Sequence, residues 1–295
     1  MLSEQKQLLL ENAINEYLET PENSRSLTKL GEKYGLDRRL ISRHLKKRGI
    51  EVINAQNRCR INETVFDTID TEEKAYWLGF LYADGNIGSK EYKLEINLAA
   101  KDWKHLKKFQ EFLEYTEDKI RISPQYGKGK DDVCRFSVRN KYIWEALNSK
   151  GCTPRKSLTL VFPDTSIFKT KSLIYDFIRG YLDGDGTLGI YPVNNTNKVR
   201  ENLGFVGTKD FLQRIVEFLG EYTKVCPKQN NKAYKISYSN YKARKVARML
   251  YKDSTIYLER KYKIYEEFCR LEEESSLRKS SKIGESCDAN PEVIN

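Results

Sequence analysis

The sequence predicts an α+β protein, two αββαββα halves preceded by a small all-α domain. Three observations carry that prediction. Two apolar helical runs, AYWLGFLYADGNIG (Ala75 to Gly88) and IYDFIRGYLDGDGTLG (Ile174 to Gly189), are each cut short by Asp-Gly. The stretch AAKDWKHLKKFQEFL (Ala99 to Leu113) returns as GTKDFLQRIVEFL (Gly207 to Leu219). The separations agree: 101 residues from Asp84 to Asp185, 108 from Lys101 to Lys209 and 100 from Asn140 to Asn240. Self-similarity at a nearly fixed offset marks an internal duplication.

Residues 1–50 read as three helices. The first, Ser3 to Leu18, sets Leu8, Leu9, Ala13, Ile14, Tyr17 and Leu18 on one side and is broken by Pro21-Glu22-Asn23-Ser24. Leu27 to Tyr34, a Gly35-Leu36-Asp37 turn and Arg38 to Arg48 follow, so LTKLGEKYGLDRRLISRHLKKRGI has the layout of a helix-turn-helix and resembles DNA-binding modules of that kind. Asp37 can cap the second of these helices. Its apolar set (Leu40, Ile41, Leu45) leaves Arg38, Arg39, Ser42, Arg43, Lys46 and Lys47 largely on other faces as DNA-binding candidates. A small helical bundle with a solvated basic face is the plainer alternative. Residues 51–70 show little periodicity and read as a linker.

Residues 71–160 make the first half and 161–274 the second. After Asp84 come an extended stretch (Asn86 to Ser89), a strand (Tyr92 to Ala99) and a helix opened by Lys101-Asp102. Two strands follow, Lys119 to Pro124 and Val133 to Arg139, then a helix from Asn140. After Asp185 the order returns: Thr187 to Tyr191, Asn202 to Gly207, a helix from Lys209-Asp210, Thr223 to Lys228, Ala233 to Ser239, and a helix from Asn240. Each sheet is expected to be antiparallel with helices on one face, leaving the other free to meet a partner. A helix from about Ile256 to Glu274 closes the second half. Residues 275–295, Ser/Lys-rich and then acidic, are expected to be disordered.

Composition narrows the function classes. A chain of 295 residues can hold several cores, and 32% charged against 39% apolar residues implies a large solvated surface. The 52 basic residues exceed the 42 acidic ones, and 19 Tyr, 12 Phe and 3 Trp accompany that excess, a combination suited to a phosphate-binding surface. The cysteines (59, 134, 152, 226, 269 and 287) form no C-x-x-C pair, and only His44 and His105 are present, which argues against zinc and against His-centred hydrolases. MLSEQKQLLLENAINEY lacks a signal pattern, and no apolar run approaches the ~20 residues of a membrane span. The expectation is a reduced, intracellular, cytoplasmic protein without a membrane partner.

The Asp-Gly helix ends carry the chemistry. A helix C-terminus bears partial negative charge, so an Asp there is electrostatically misplaced, and two such ends side by side are worse. A divalent cation reverses the sign of that cost, because carboxylates and backbone carbonyls are ligands Mg²⁺ takes. An Asp-Gly turn closing each helix is the simpler alternative. Gly79 and Ala83 in one run, Gly180 and Gly184 in the other, are spaced i, i+4 on one face, which gives each helix a flat strip for close approach. Lys156 in PRKS and Lys261 in LERKY occupy similar places late in each half, 72 residues after Asp84 and 76 after Asp185. Ordinary surface lysines are the alternative for that pair.

WLGFLYADG (Trp77 to Gly85) and IRGYLDGDG (Ile178 to Gly186) resemble the two motifs of single-chain LAGLIDADG homing endonucleases, and the resemblance spans roughly residues 71–270. It implies two pseudo-twofold-related halves forming a DNA-binding saddle, in a monomer. The eighth motif position, the metal-binding acid of the family, falls on Asp84 and Asp185. The first motif departs at its sixth position, with Tyr82 where the second has Asp183. The implied activity is Mg²⁺-dependent hydrolysis of one phosphodiester in each strand, leaving short 3′ overhangs, with two or three divalent ions shared by Asp84 and Asp185 and the carbonyls of Ala83 and Gly184. Lys156 and Lys261 would stabilise phosphate charge. Base contacts would come from the open sheet faces: Lys93, Glu95 and Asn97 with Arg135, Ser137 and Arg139 in one half, and Lys235, Ser237 and Ser239 in the other. A one-residue slip would turn all of these away. Two alternatives share the fold: a DNA-binding transcription regulator and a maturase that takes intron RNA as partner.

Overall fold

The computed structural model describes residues 3–21, 25–50, 52, 61–88, 91–116, 119–124, 132–154, 156, 159–194, 196, 198–228 and 233–287. Residues 51 and 53–60 of the linker expected over 51–70, and the tail beyond residue 287, lie outside the described residues; residues 63–70 are no linker but part of the second compact unit, with Val65, Phe66 and Ile69 buried in its core. The chain forms two compact units, residues 1–62 with 113–118, and residues 63–112 with 119–295.

The first unit contains α1 (Glu4–Glu19), α2 (Leu27–Tyr34) and α3 (Arg38–Lys47). Local sequence sets each start: Ser3, Ser26 and Asp37 accept the backbone N–H of Lys6, Lys29 and Arg39, as N-caps do. Gly35, at φ +62°, ends α2 in the left-handed region open to glycine, and Asp37 starts α3 two residues later. The core is Leu10, Ala13, Ile14 and Tyr17 of α1 with Leu30, Leu36, Ile41 and Leu45. Leu8 and Leu18, expected on the apolar side of α1, are exposed; the buried stripe is the i, i+3, i+4, i+7 set beginning at Leu10.

The second unit holds both halves. In the first, α4 (Glu72–Asp84) is followed by β1 (Gly85–Ile87), β2 (Lys93–Ala99), α5 (Trp103–Phe112), β3 (Arg121–Ser123), β4 (Val133–Arg139) and α6 (Lys141–Ser149). In the second, α7 (Ser172–Asp185) precedes β5 (Thr187–Pro192), β6 (Val199–Gly207), α8 (Lys209–Leu219), β7 (Cys226–Pro227), β8 (Tyr234–Ser239) and α9 (Tyr241–Tyr251). Each sheet is four-stranded and antiparallel, in the orders β1-β2-β4-β3 and β5-β6-β8-β7. The same order, at offsets of 100 to 108 residues, is the duplication read from the sequence. β3 and β7 are shorter than the sequence pattern suggests. The final helix, α10 (Glu259–Cys287), runs past Glu274, where the sequence pattern would end it, and residues 275–287 are helical instead of disordered.

Alternation decides the sheet faces. Leu94, Ile96 and Leu98 of β2 and Cys134, Phe136 and Val138 of β4 are buried, so the odd-numbered side chains take the other face. In β8, Ile236 and Tyr238 are buried while Lys235, Ser237 and Ser239 are exposed.

Candidate active site at the paired helix ends

The helices α4 and α7 pack backbone to backbone through their small residues. A Cβ on Gly79 would lie 1.9 Å from the Phe177 carbonyl oxygen, and one on Gly180 would lie 2.0 Å from that of Tyr76. The contacts are reciprocal: Gly79 also faces the Tyr181 amide and Gly180 the Phe80 amide, at 3.0 and 2.9 Å by the same measure. Reciprocity of this kind is the signature of a twofold relation between two like surfaces. One turn on, a Cβ at Gly184 would meet the Ala83 Cβ at 2.4 Å and the Asp84 carboxyl carbon at 3.6 Å. The small-residue strip therefore brings the ends of both helices, with Asp84 and Asp185, to one place.

Electrostatics record that meeting. Burial pushes the Asp84 carboxyl up to about 6, and the neighbouring Asp185 charge pushes the same way; Lys261, Lys156 and Arg260 pull it back. Burial also raises the Tyr181 phenol, with Asp185 and Asp84 adding to the effect, while its hydroxyl donates to the Val206 carbonyl at 2.7 Å. Among the described residues no group of three or more His, Cys, Asp and Glu converges anywhere. The paired ends thus supply two carboxylates, and a cation there would take the rest of its oxygen shell from backbone, water and substrate. Two like charges held together at carbonyl-rich helix ends fit a divalent ion.

The two lysines are buried against those helix ends. The Lys261 Nζ donates to the carbonyls of Leu182 (2.5 Å), Asp183 (3.0 Å) and Gly186 (2.6 Å), and that of Lys156 donates to Gly85. Neither is an ordinary surface lysine, since each is less than a tenth exposed. An ammonium group on the last carbonyls of a helix offsets the partial negative charge that makes an Asp unfavourable there. Burial lowers the Lys261 ammonium to about 8. Arg260, its neighbour, pairs with Asp102 at 2.9 Å and adds positive charge near Asp84; no motif or spacing in the sequence singles it out.

The sixth motif position is held by buried contacts in both halves. Asp183 is fully buried and accepts from the Tyr76 hydroxyl (2.7 Å), the Tyr251 hydroxyl (2.5 Å) and the Leu258 amide (2.7 Å). Burial nonetheless raises its carboxyl. Tyr82 instead donates its hydroxyl to the Lys150 carbonyl, just past α6, and packs edge-on to Phe177. Each residue ties its motif helix to the segment that follows the next helical layer. Tyr76 also lies 3.0 Å from His105 Nε2. Its one proton goes to Asp183, so His105 Nε2–H must be the donor and Nδ1 a bare acceptor, the atom without a hydrogen-bond partner. Burial drives this imidazole down to about 3, which keeps it neutral.

A second buried knot couples the halves. Arg179 of α7 pairs with Glu72 of α4 and with Asp176, each at 2.7 Å, and donates to the carbonyls of Leu250 and Ile256. Nothing in the sequence spacing identifies it.

The open sheet faces carry every sheet residue singled out above. Lys93 pairs across from Arg139, Glu95 from Ser137 and Asn97 from Arg135. Glu95 is nearly buried among Lys93 (2.5 Å), Asn97 (3.2 Å) and Arg135 (3.9 Å), which makes it an organiser of its neighbours. Arg121, across from Arg135, shares the face; the alternation that identifies Arg135 also points to it. On α3, Arg38, Arg39, Arg43, Lys46 and Lys47 are exposed and Ser42 is half-buried, opposite Ile41 and Leu45.

No family model matches the chain, and no curated protein matches it in sequence. Solved structures do resemble it. The I-LtrWI LAGLIDADG homing endonuclease bound to target DNA is 15% identical, over 76% of this chain and 97% of that one, with a TM-score of 0.47. The LAGLIDADG homing endonuclease I-GzeII in complex with its DNA target and the LAGLIDADG meganuclease I-AabMI bound to uncleaved DNA are each 14% identical, over 70% of this chain and 91% of theirs, with TM-scores of 0.46.

Proposed function

We propose that the chain is a site-specific DNA endonuclease of the LAGLIDADG homing type, acting as a monomer whose two halves each address one strand. The observation that carries the reading is the convergence of Asp84 and Asp185 at the ends of two reciprocally packed helices, where burial and the paired charge raise the Asp84 carboxyl to about 6. A like-charge pair at the negative ends of two helices makes chemical sense if a cation joins it. Mg²⁺, when bound, supplies Lewis-acid stabilisation of the scissile phosphate and an activated water. Asp84 and Asp185, with the carbonyls of Ala83 and Gly184, are the residues that would hold it.

The chain's own residues divide the remaining work. Lys156 and Lys261 tether the helix ends and put positive charge beside the carboxylates, from where their field reaches a bound phosphate. The open faces of both sheets bind the duplex, with Lys93, Glu95, Asn97, Arg135, Ser137 and Arg139 in one half and Lys235, Ser237 and Ser239 in the other. The basic side of α3 (Arg38, Arg39, Ser42, Arg43, Lys46 and Lys47) adds contacts that lengthen the site. Homing of an intron or other mobile element inside the cell is the biological setting this chemistry serves.

The test is to incubate the protein with Mg²⁺ and a pool of diverse DNA duplexes, then map the ends produced. Wild type should yield paired breaks with short 3′ overhangs. Asp84→Asn and Asp185→Asn should each stop cleavage while retaining binding, and deletion of residues 1–50 should weaken binding without altering the position of the breaks. A protein that bound duplexes and cut none would instead be a regulator.

A further inference from the structure

The two sheets share one frame, so the positions on their open faces can be compared one to one. The row that starts two residues beyond Asp84 is Asn86, Glu95 and Ser137, and its counterpart beyond Asp185 is Thr187, Gly204 and Ser237. The next row, Asn97, Arg135 and Arg121, corresponds to Val206, Lys235 and Cys226. On the other side, Lys93 and Arg139 correspond to Asn202 and Ser239. Over these rows five charged side chains in the first sheet stand where the second has one, Lys235; beyond them the second sheet also carries Arg200, exposed on the same face across from Tyr191.

The contrast is sharpest at one position. The Arg135 side chain is 57% exposed, and its Nε donates to Asn97 Oδ1 at 2.7 Å. That bond orients the guanidinium plane while engaging none of its terminal nitrogens. Arg139, by comparison, gives Nε and Nη2 to Glu91, at 3.0 and 2.7 Å. In the second half Lys235 has Val206 where Arg135 has Asn97, so no side-chain acceptor stands there to orient it. An oriented arginine fork matches the O6 and N7 acceptors of guanine in the major groove, whereas a lysine acts as a mobile point charge. Small hydroxyls and a valine suit close approach and thymine methyl groups.

We infer that Arg135, positioned by Asn97, specifies a guanine in the half-site under the first sheet, and that Lys235, with Val206 beside it, makes no such contact at the equivalent place in the second. The inference rests on the proposed DNA-cleaving function and adds to it a specificity-determining residue and the residue that positions it.

The full chain is mixed, without Mg²⁺, with a pool of randomised DNA duplexes, and the bound duplexes are sequenced. Wild type should enrich a non-palindromic motif with a guanine on one side of its centre, and 7-deazaguanine at that base should weaken binding. Arg135→Lys and Asn97→Val, which import the second half's chemistry, should each relax that position by roughly 5- to 150-fold and leave the others unchanged. Asn97→Asp, which keeps the Oδ acceptor, should retain the guanine, and Lys235→Ala should not touch it. A palindromic motif, or a guanine preference that survives in both Arg135→Lys and Asn97→Val, overturns the inference while leaving DNA binding intact. Failure of the wild type to enrich any duplex overturns the functional reading itself.

Discussion

Replacing Asp84 by asparagine should stabilise the metal-free protein, although it removes a residue the proposed reaction needs. The carboxyl gives up its proton near 3.8 in the unfolded chain and near 6 in the folded one, because burial and the Asp185 charge disfavour the anion. Between those two values folding takes up a proton, so stability falls as pH rises through the window and stays low above it. A gap of about two pH units, at about 1.36 kcal/mol for each, puts the loss at about 3 kcal/mol near neutral pH. Asparagine has no anion to bury, so the variant should escape this loss, with a midpoint higher by roughly 6–12 °C for a protein of this size. Thermal unfolding followed by circular dichroism in chelator, from pH 4 to pH 8, measures it. The difference between variant and wild type should open between about pH 4 and pH 6 and close again when Mg²⁺ is added, since a ligand of the native state stabilises only the protein that binds it. A variant no more stable than wild type at pH 7.5 in chelator, or a difference that does not shrink toward pH 4, would refute the idea that the pair is held at an electrostatic cost.

Three further outcomes follow from the packing. Gly180→Ala sets a Cβ 2.0 Å from the Tyr76 carbonyl oxygen, a backbone atom that cannot swing aside; unfolding stability should fall by about 3 kcal/mol and cleavage with it, and an unchanged denaturation midpoint would contradict the close approach. Lys261→Met should lower stability by about 3 kcal/mol, because three helix-end carbonyls lose a charged donor; loss of cleavage at full stability would instead assign Lys261 to phosphate alone. Tyr82→Phe should cost about 1 kcal/mol in denaturant titration and leave the cleavage rate unchanged, whereas a large rate loss would place Tyr82 in the chemistry.

Much of the architecture is legible in the sequence because it depends on local, periodic signals. Period-two alternation in KLEINLA and VCRFSVR foretells which side chains share a face, and the structure places Lys93, Asn97, Arg135 and Arg139 together on the open side. The stripe on α1 is not legible in the same way, and Leu8 and Leu18 fall outside it, since an isolated helix offers several overlapping apolar sets and only its neighbours choose between them. The extension of α10 to Cys287 is equally silent: a polar, serine-rich stretch carries no apolar period to announce a helix.

The sequence by itself determined the duplication, the two Asp-terminated runs and the small residues four apart, because each is a pattern of residue types along the chain that needs no partner to be seen. Only the tertiary structure decided what those residues do to one another. It set Gly79 and Gly180 against opposing carbonyls, and turned Lys156 and Lys261 inward onto the helix ends. It also separated the fates of the two sixth-position residues, giving Asp183 three donors and Tyr82 one acceptor. The Lys261–Leu182 and Tyr76–Asp183 partners lie 79 and 107 residues apart along the chain. Burial, which raises the Asp84 carboxyl, belongs to the packed helices and to neither run alone.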